Sequence, residues 1–359
     1  MQNSLINRQS IRVLVVDDSA LMRQMLRSVL DSDPDIEVVG AAPDPLCARQ
    51  MIKDLDPDVV TLDVEMPKMD GLAFLEKLMT LRPMPAIMVS GMTHRGAEIT
   101  MRALELGAVD FVTKPKVPAD KGLAILKDEL IPKVKLAAGA RVVVSHRGQG
   151  PSSKPRTFSK QTGRNVIAIG ASTGGVAALR SLLSGLPAIC PAVLITQHMP
   201  PAYTGPFAAR LDQSSALTVV EADDGQRIEP GHAYVAPGGR HLRLVRDRQG
   251  FRCNLTDDPL VSGHRPSVDV LFRSVAESVG AHALGVLLTG MGRDGAEGLL
   301  EMRRSGAMTL GQCEASCVVY GMPRAALEIG AVEAEMPLDN MAKAILQATD
   351  LILEKLPIP

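Results

Sequence analysis

No stretch of the 359-residue chain is long and apolar enough to cross a bilayer. A span needs about 20 uninterrupted apolar residues, and the most apolar region, residues 181–196, is broken by Pro187 and Pro191. The opening segment, MQNSLINRQS, lacks the apolar core of a signal peptide. Cysteine is scarce: Cys47, Cys190, Cys253, Cys313 and Cys317 are odd in number, and only the last two lie close together. That usage fits reduced thiols in a cytoplasm and argues against a disulfide framework. No internal repeat is present, and the net charge of −1 leaves no overall excess of either sign. A soluble protein without membrane insertion is the expectation.

What is there is a globular composition. Hydrophobic residues make up 46% and charged residues 22%, with 31 glycines and 25 prolines spread along the chain. The length suggests two domains. Charge marks the division: residues 1–138 hold 17 basic and 20 acidic groups, residues 139–164 hold six basic and no acidic, and residues 165–359 hold 16 and 20. The middle stretch is rich in Gly, Ser and Pro and reads as a flexible basic linker. Only Phe158 interleaves its charges, so a solvated tether fits better than a nucleic-acid patch. The expected division is 10–138, linker 139–164 and 165–355.

In the first part, β-rich runs at residues 11–16, 37–42, 59–62, 86–89 and 110–113 alternate with segments of helical period. Such alternation predicts an α/β unit with a parallel sheet. Leu21, Met22, Met25, Leu26, Val29 and Leu30 form one core stripe, and Leu72, Leu75, Leu78 and Met79 form another behind the capping candidate Asp70. Polar residues fall at the carboxyl ends: Asp17 and Asp18 after the first run, Asp63 after the third, Ser90 after the fourth, Lys114 after the fifth. In strand order 2-1-3-4-5 the first and third strands are neighbours, and ligands bind outside their carboxyl ends. Three converging carboxylates repel unless a cation neutralises them, and an oxygen-only set suits Mg²⁺. A phosphoryl group is the natural companion, with Lys114 supplying charge and Ser90 a hydroxyl.

These residues, in VLVVDD, LDVEMPKMDG, MVSG and DFVTKP, resemble the flavodoxin-like receiver domain of two-component response regulators over residues 10–136. The resemblance implies that Asp63 accepts a phosphoryl group from a histidine kinase. It implies Mg²⁺ on Asp18, Asp63 and the backbone carbonyl of Glu65, with Asp17 assisting. It also implies Ser90 and Phe111 as the switch pair and Lys114 as the phosphoryl partner.

In the second part, a β-run at residues 165–169 enters Gly170-Ala171-Ser172-Thr173-Gly174-Gly175, and a helical stripe of Val176, Leu179, Leu182 and Leu183 follows. This is G-x-S-x-G on a strand, turn and helix, which can lift a serine hydroxyl above a sheet. The P-loop lysine is missing, which disfavours a phosphate loop, but the motif alone does not separate a nucleophile from a structural turn. A serine needs a base. The run at 193–196 delivers His198 at its carboxyl end, the same edge if the sheet is parallel. His232, His241 and His264 compete, but they fall among or just after antiparallel-looking runs at 233–236, 242–245 and 251–256, where rim or structural roles are expected. A further run, 283–288, ends in a Gly-rich turn holding Asp294, which could orient the imidazole or simply cap its helix. The chain order Ser, His, Asp differs from the Ser, Asp, His of common α/β-hydrolases. A doubly wound α/β domain with a small antiparallel hairpin is expected.

GASTGG, QHMP, HRPSVDVLFRSVA, LTGMGRDGAEG and EASCVVYGMP resemble the catalytic domain of the CheB family of chemotaxis protein-glutamate methylesterases. The resemblance implies removal of methyl groups from glutamate γ-methyl esters of chemoreceptors, releasing methanol, and deamidation of certain receptor glutamines. Ser172 is then the nucleophile, His198 general base and acid, Asp294 the orienting carboxylate. Thr173 and the Met291 backbone N–H flank the oxyanion. No cofactor is implied for hydrolysis, and Mg²⁺ serves only the receiver. A cytoplasmic monomer recruited to receptor arrays is expected, with receptors as substrate and a chemotaxis kinase as phosphodonor. A DNA-binding output domain is disfavoured because residues 165–359 are net acidic. A serine hydrolase with another substrate would be separated only by activity.

Overall fold

The computed structural model describes residues 10–66, 71–91, 93–115, 119–140 and 165–354. The chain forms two compact units, one ending at Ser145 and the other starting at His146. Of the expected linker, only Gly139 and Ala140 are described, where their N–H groups donate back to Leu136 and Ala137. Asp70 also lies outside the described residues.

The first unit alternates strand and helix: β1 (Ile11–Val16), α1 (Ala20–Leu30), β2 (Ile36–Ala42), α2 (Pro45–Leu55), β3 (Val59–Asp63), α3 (Gly71–Leu81), β4 (Ala86–Ser90), α4 (His94–Glu105), β5 (Asp110–Thr113) and α5 (Ala119–Ala138). All pairings are parallel and the order is β2-β1-β3-β4-β5. β3 and β4 are buried at every residue, which is why they read as unbroken apolar runs rather than alternating ones. Helix starts follow the capping chemistry: Ser19, Asp44 and Thr93 each accept N–H groups from the first turns of α1, α2 and α4. Of the predicted α1 stripe, Leu26, Val29 and Leu30 are buried, whereas Leu21 is 64% exposed. The period continues past the packed part of the helix, and its first turn lies beyond the core.

The second unit contains β6 (Val166–Ala171), α6 (Gly175–Ser184), β7 (Ala192–Gln197), α7 (Pro201–Ser214), β8 (Thr218–Glu221), β9 (His232–Val235), β10 (His241–Asp247), β11 (Gly250–Thr256), α8 (Val268–Val279), β12 (Ala283–Leu287), α9 (Ala296–Arg304), β13 (Met308–Gln312), α10 (Met322–Glu328), β14 (Ala334–Met336) and α11 (Leu338–Glu354). Seven strands form a parallel sheet in the order β14-β13-β12-β6-β7-β9-β8. The chain leaves β6 toward β7 on one side, and β12 adds on the other. The order therefore reverses beside β6, which puts the binding crevice at the carboxyl ends of β6 and β12.

One expectation is corrected here. The run at 233–236 is not part of an antiparallel region: β9 pairs parallel with both β7 and β8. Four residues carry too little periodicity to reveal the direction of their partner. Among the described strands only β10 and β11 pair antiparallel, and α8 packs against β10. The stripe Val176, Leu179, Leu182 and Leu183 is buried as predicted. No described helix is long and apolar enough to cross a membrane.

Candidate functional site

At the carboxyl edge of the first sheet, ligand oxygens of Asp17, Asp18 and Asp63 lie within 4.8 Å of one another. Asp17 and Asp63 are buried and Asp18 is exposed. The Lys114 ammonium sits 2.9 Å from Asp17 Oδ2 and 2.7 Å from Asp63 Oδ2. The Asp63 carboxyl is raised to about 6, chiefly by burial, with Lys114 opposing the rise and the Asp17 charge adding to it. Burial opposes the Lys114 charge, but the two carboxylates outweigh it and hold the ammonium protonated. A buried carboxylate held that far above its ordinary range is short of positive charge. An oxygen-only pocket with one solvent-facing acid fits Mg²⁺. Glu65 is exposed, and its N–H donates to Asp63 Oδ1 at 3.2 Å. Gly71 packs so closely that a Cβ there would fall 2.0 Å from the Asp63 carbonyl oxygen, so only glycine fits. Ser90 is fully buried, its hydroxyl donating to the Gly91 and Gly96 carbonyls at 3.2 and 3.3 Å. Phe111 is buried in the core of the first unit. Its ring is therefore already inside.

At the carboxyl edge of the second sheet, the turn after β6 lifts Ser172 to a half-buried position. Gly174 makes the turn possible: its φ is 77°, and a Cβ would fall 2.6 Å from Val318. Gln197, at the end of β7, donates its Nε2 to the carbonyls of Ser172 (2.9 Å) and His198 (3.2 Å), and His198 N–H donates to Ala171 O. The serine and histidine turns are thus tied to each other. Thr289, after β12, accepts Ser172 N–H with its carbonyl at 3.0 Å and donates its hydroxyl to Thr173 O. Thr173 is buried. Met291 is exposed, on a loop whose preceding Gly290 would place a Cβ 2.8 Å from Ser172 Cβ. Among the described residues its backbone N–H has no acceptor.

His198 Nε2 lies 2.7 Å from Asp294 Oδ2, and the His198 side chain is 8% exposed. If Nε2 carries the proton shared with the carboxylate, Nδ1 is the ring's acceptor. Nδ1 is buried and unpartnered. No described hydrogen bond joins Ser172 Oγ to the ring. Burial works against the Asp294 carboxylate, but donors from His198, Ser267 and the Val268 N–H outweigh it and hold the acid below its ordinary value. Burial raises the neighbouring Asp269, and the Asp294 charge adds to that rise. Of the two acids, Asp294 is the one whose surroundings favour the charged form.

Sequence reasoning weighed Asp294 as a cap of its own helix. It caps a different one: Gly295 occupies the N-cap of α9, and Asp294 accepts Val268 N–H (2.7 Å) and Asp269 N–H (3.2 Å) at the start of α8. The positive helix end favours the anion. Asp269 returns the arrangement by accepting Gly298 N–H of α9 at 2.7 Å. Ser267, at the N-cap of α8, makes no capping bond and instead donates its hydroxyl to Asp294 Oδ1 at 2.7 Å. Ser267, Asp269 and Gln197 were not singled out from sequence. A serine two residues before an acid at a helix start was the available signal, and it reads locally as an ordinary cap.

Of the competing histidines, His241 is fully buried and structural: Nε2 lies 3.0 Å from Pro259 O and Nδ1 accepts Ser267 N–H at 3.2 Å. His232 is half-buried, its Nδ1 3.2 Å from Pro230 O. His264 stacks on His198. All five cysteines are free thiols, and burial pushes those of Cys190, Cys253 and Cys317 up to about 12, so none of these three is a competing nucleophile.

A receiver fold with a buried acidic pocket, followed by a parallel α/β unit with Ser, His and Asp turns at one edge, defines a response regulator with an enzyme-type output unit. The pattern of the response regulator receiver domain matches residues 13–125, and that of CheB methylesterase matches residues 167–345. The chain belongs to the CheB family of response-regulator methylesterases. It is 59% identical over 338 residues to "Protein-glutamate methylesterase/protein-glutamine glutaminase 1" of Caulobacter vibrioides, covering 94% of this chain and 97% of that one. It is 55% identical over 340 residues to the protein of the same activity name in Photorhabdus laumondii, covering 94% and 96%. The crystal structure of the Thermotoga maritima CheB methylesterase catalytic domain matches with a TM-score of 0.50 and 34% identity, over 51% of this chain and 97% of that one.

Proposed function

We propose that the chain is a protein-glutamate methylesterase and protein-glutamine glutaminase acting on chemoreceptors, with Ser172, His198 and Asp294 as its catalytic residues. The 2.7 Å His198–Asp294 pair beside the Ser172 turn carries this reading. Relatives that match over nearly the whole chain bear the activity's name. His198 Nδ1 takes the Ser172 hydroxyl proton as Oγ attacks the γ-ester carbonyl. Asp294 holds Nε2–H and balances the imidazolium. N–H groups at Thr173 and Met291 receive the tetrahedral oxyanion, an interaction typically worth about 3–4 kcal/mol of barrier per donor. The imidazolium returns its proton to the departing methoxide, giving methanol and a γ-glutamyl ester on Ser172. Water, deprotonated by His198, then releases glutamate and restores the serine. An amide follows the same route with ammonia leaving. No cofactor enters these steps.

The receiver supplies control. Asp63 accepts a phosphoryl group from a histidine kinase, and phosphorylation activates the hydrolase. Asp18, Asp63 and the Glu65 carbonyl, with Asp17 assisting, would hold Mg²⁺, which would supply positive charge to offset the carboxylates and the phosphoryl group. Lys114 turns from its carboxylates to the phosphoryl group, and Ser90 exchanges a carbonyl partner for a phosphoryl oxygen, with Phe111 as its switch partner. Activated demethylation of receptors would give sensory adaptation, by a cytoplasmic monomer recruited to receptor arrays. The domain division 10–138, 139–164 and 165–355 belongs to this reading. The test is methanol release from methylated chemoreceptor membranes, with and without a small phosphodonor. Release that needs Ser172 and rises with phosphodonor supports the proposal, and no release under either condition rejects it.

A further inference from the structure

We propose that His264 is a positioning residue for the hydrolysis, fixing the plane of the His198 imidazole by stacking on it. The inference rests on the reading of His198 as the base. The two ring centroids are 3.7 Å apart and the planes are inclined by 11°. That is a parallel stack at contact distance.

The stack answers a geometric need. A single hydrogen bond at Nε2 fixes one point of the imidazole but leaves the ring free to tilt about the Nε2–Oδ2 direction. Tilting sweeps Nδ1 away from the serine it must deprotonate. A flat ring laid on one face removes that freedom, and it also screens the imidazole from water: His198 is 8% exposed although it lies at an open sheet edge. Misplacement of a reacting group by about 1 Å can cost roughly 100-fold in rate.

The loop that carries His264 is fastened for such a role. Val261 and His264 exchange both backbone hydrogen bonds, at 3.1 and 2.9 Å, across a two-residue turn. Both central residues, Ser262 (φ 53°) and Gly263 (φ 80°), have positive φ, as a tight hairpin turn of this hand requires. Ser262 is one of two described non-glycine residues in that region, so the backbone accepts a sparsely populated conformation at the residue pair that delivers His264. On one side of the turn His241 holds the Pro259 carbonyl. On the other, Arg265 Nη1 donates to the carbonyls of Asp257 (2.8 Å) and Asp258 (3.0 Å). His264 therefore reaches His198 from a braced loop.

The test uses the full-length chain with phosphodonor, acting on methylated chemoreceptor membranes. His264→Ala is expected to lower kcat on the order of 10- to 100-fold with KM changed less than about twofold. His264→Phe, which keeps a flat ring, should recover most of the rate. The His198 ring-proton resonances should carry an upfield ring-current shift that His264→Ala removes and His264→Phe retains. A His264→Ala kcat within twofold of wild type overturns the inference, as does a loss confined to KM, which would make His264 a substrate contact. A His264→Phe enzyme as slow as His264→Ala, or wild-type His198 resonances that do not move in His264→Ala, also overturns it. His198→Ala separates the two readings. If it keeps wild-type activity, the base assignment fails; if it is inactive while His264→Ala is unaffected, only the stacking role fails.

Discussion

Replacing Asp294 by Asn tests whether its negative charge, rather than its shape, is what the site uses. The carboxylate accepts four hydrogen bonds: His198 Nε2 and Val268 N–H share Oδ2, while Ser267 Oγ and Asp269 N–H share Oδ1. An amide offers one oxygen and one NH₂ for those two positions. With NH₂ in the Oδ2 position it meets Val268 N–H, a donor that cannot become an acceptor. In the Oδ1 position it meets Asp269 N–H, but the Ser267 hydroxyl can rotate to accept. The second orientation wins, because it orphans only the longest of the four bonds. One buried unpaired N–H costs about 1–3 kcal/mol. At about 2–4 °C per kcal/mol for a domain of this size, the melting temperature should fall by roughly 2–12 °C. The favoured orientation still accepts Nε2–H, so the tautomer survives while the counter-charge to the imidazolium is lost. Turnover should drop on the order of 10²- to 10⁴-fold. The pH dependence supplies a third reading. Asp294 ionises below its unfolded value, so its stabilisation is complete above that value and is lost as pH falls through the folded one. Wild type should lose this contribution in acid, and Asp294→Asn should lack that part of the slope. Thermal melts at neutral and acidic pH with methanol release are the assays. Wild-type turnover in Asp294→Asn would refute the counter-charge argument.

Intact-mass analysis with a small phosphodonor and Mg²⁺ should show one added phosphoryl group, absent in Asp63→Asn; a full adduct in that variant would reassign the acceptor. Ser172→Ala and His198→Ala should each remove nearly all activity, and the double variant should be no worse than either, because nucleophile and base act as a unit. Additive losses in the double variant would argue for separate roles. Ser267→Ala should cost about 1.5–3 kcal/mol of unfolding free energy, the value of a hydrogen bond to a charged group, read from urea denaturation; no change would mean that water replaces the hydroxyl at no cost. A chain beginning at Lys160 should demethylate receptors faster than the unphosphorylated full-length protein and ignore phosphodonor. A shortened chain no faster than the intact one would leave the receiver as an activator or targeting module instead of a restraint.

Local chemistry determined much of this from sequence alone. The five β-runs of the first unit lie within a residue of β1 to β5 because buried parallel strands are short apolar blocks bounded by polar residues, a signal contained in each segment. The same rule placed Asp17, Asp18, Asp63, Ser90 and Lys114 at strand ends, and Ser172, His198 and Asp294 at turns on one edge. Pattern failed where the answer depended on a distant partner. The direction of β9 is set by β7 and β8. Exposure of Leu21 is set by where the core stops, not by the helical period. The role of Asp294 was ambiguous because its donors come from the start of α8, 25 to 27 residues away, and Ser267 gives up its own capping bond to join them. The stack of His264 on His198 joins residues from different loops. A segment's sequence reports which groups it can bury or expose; only tertiary folding decides which other segment meets them.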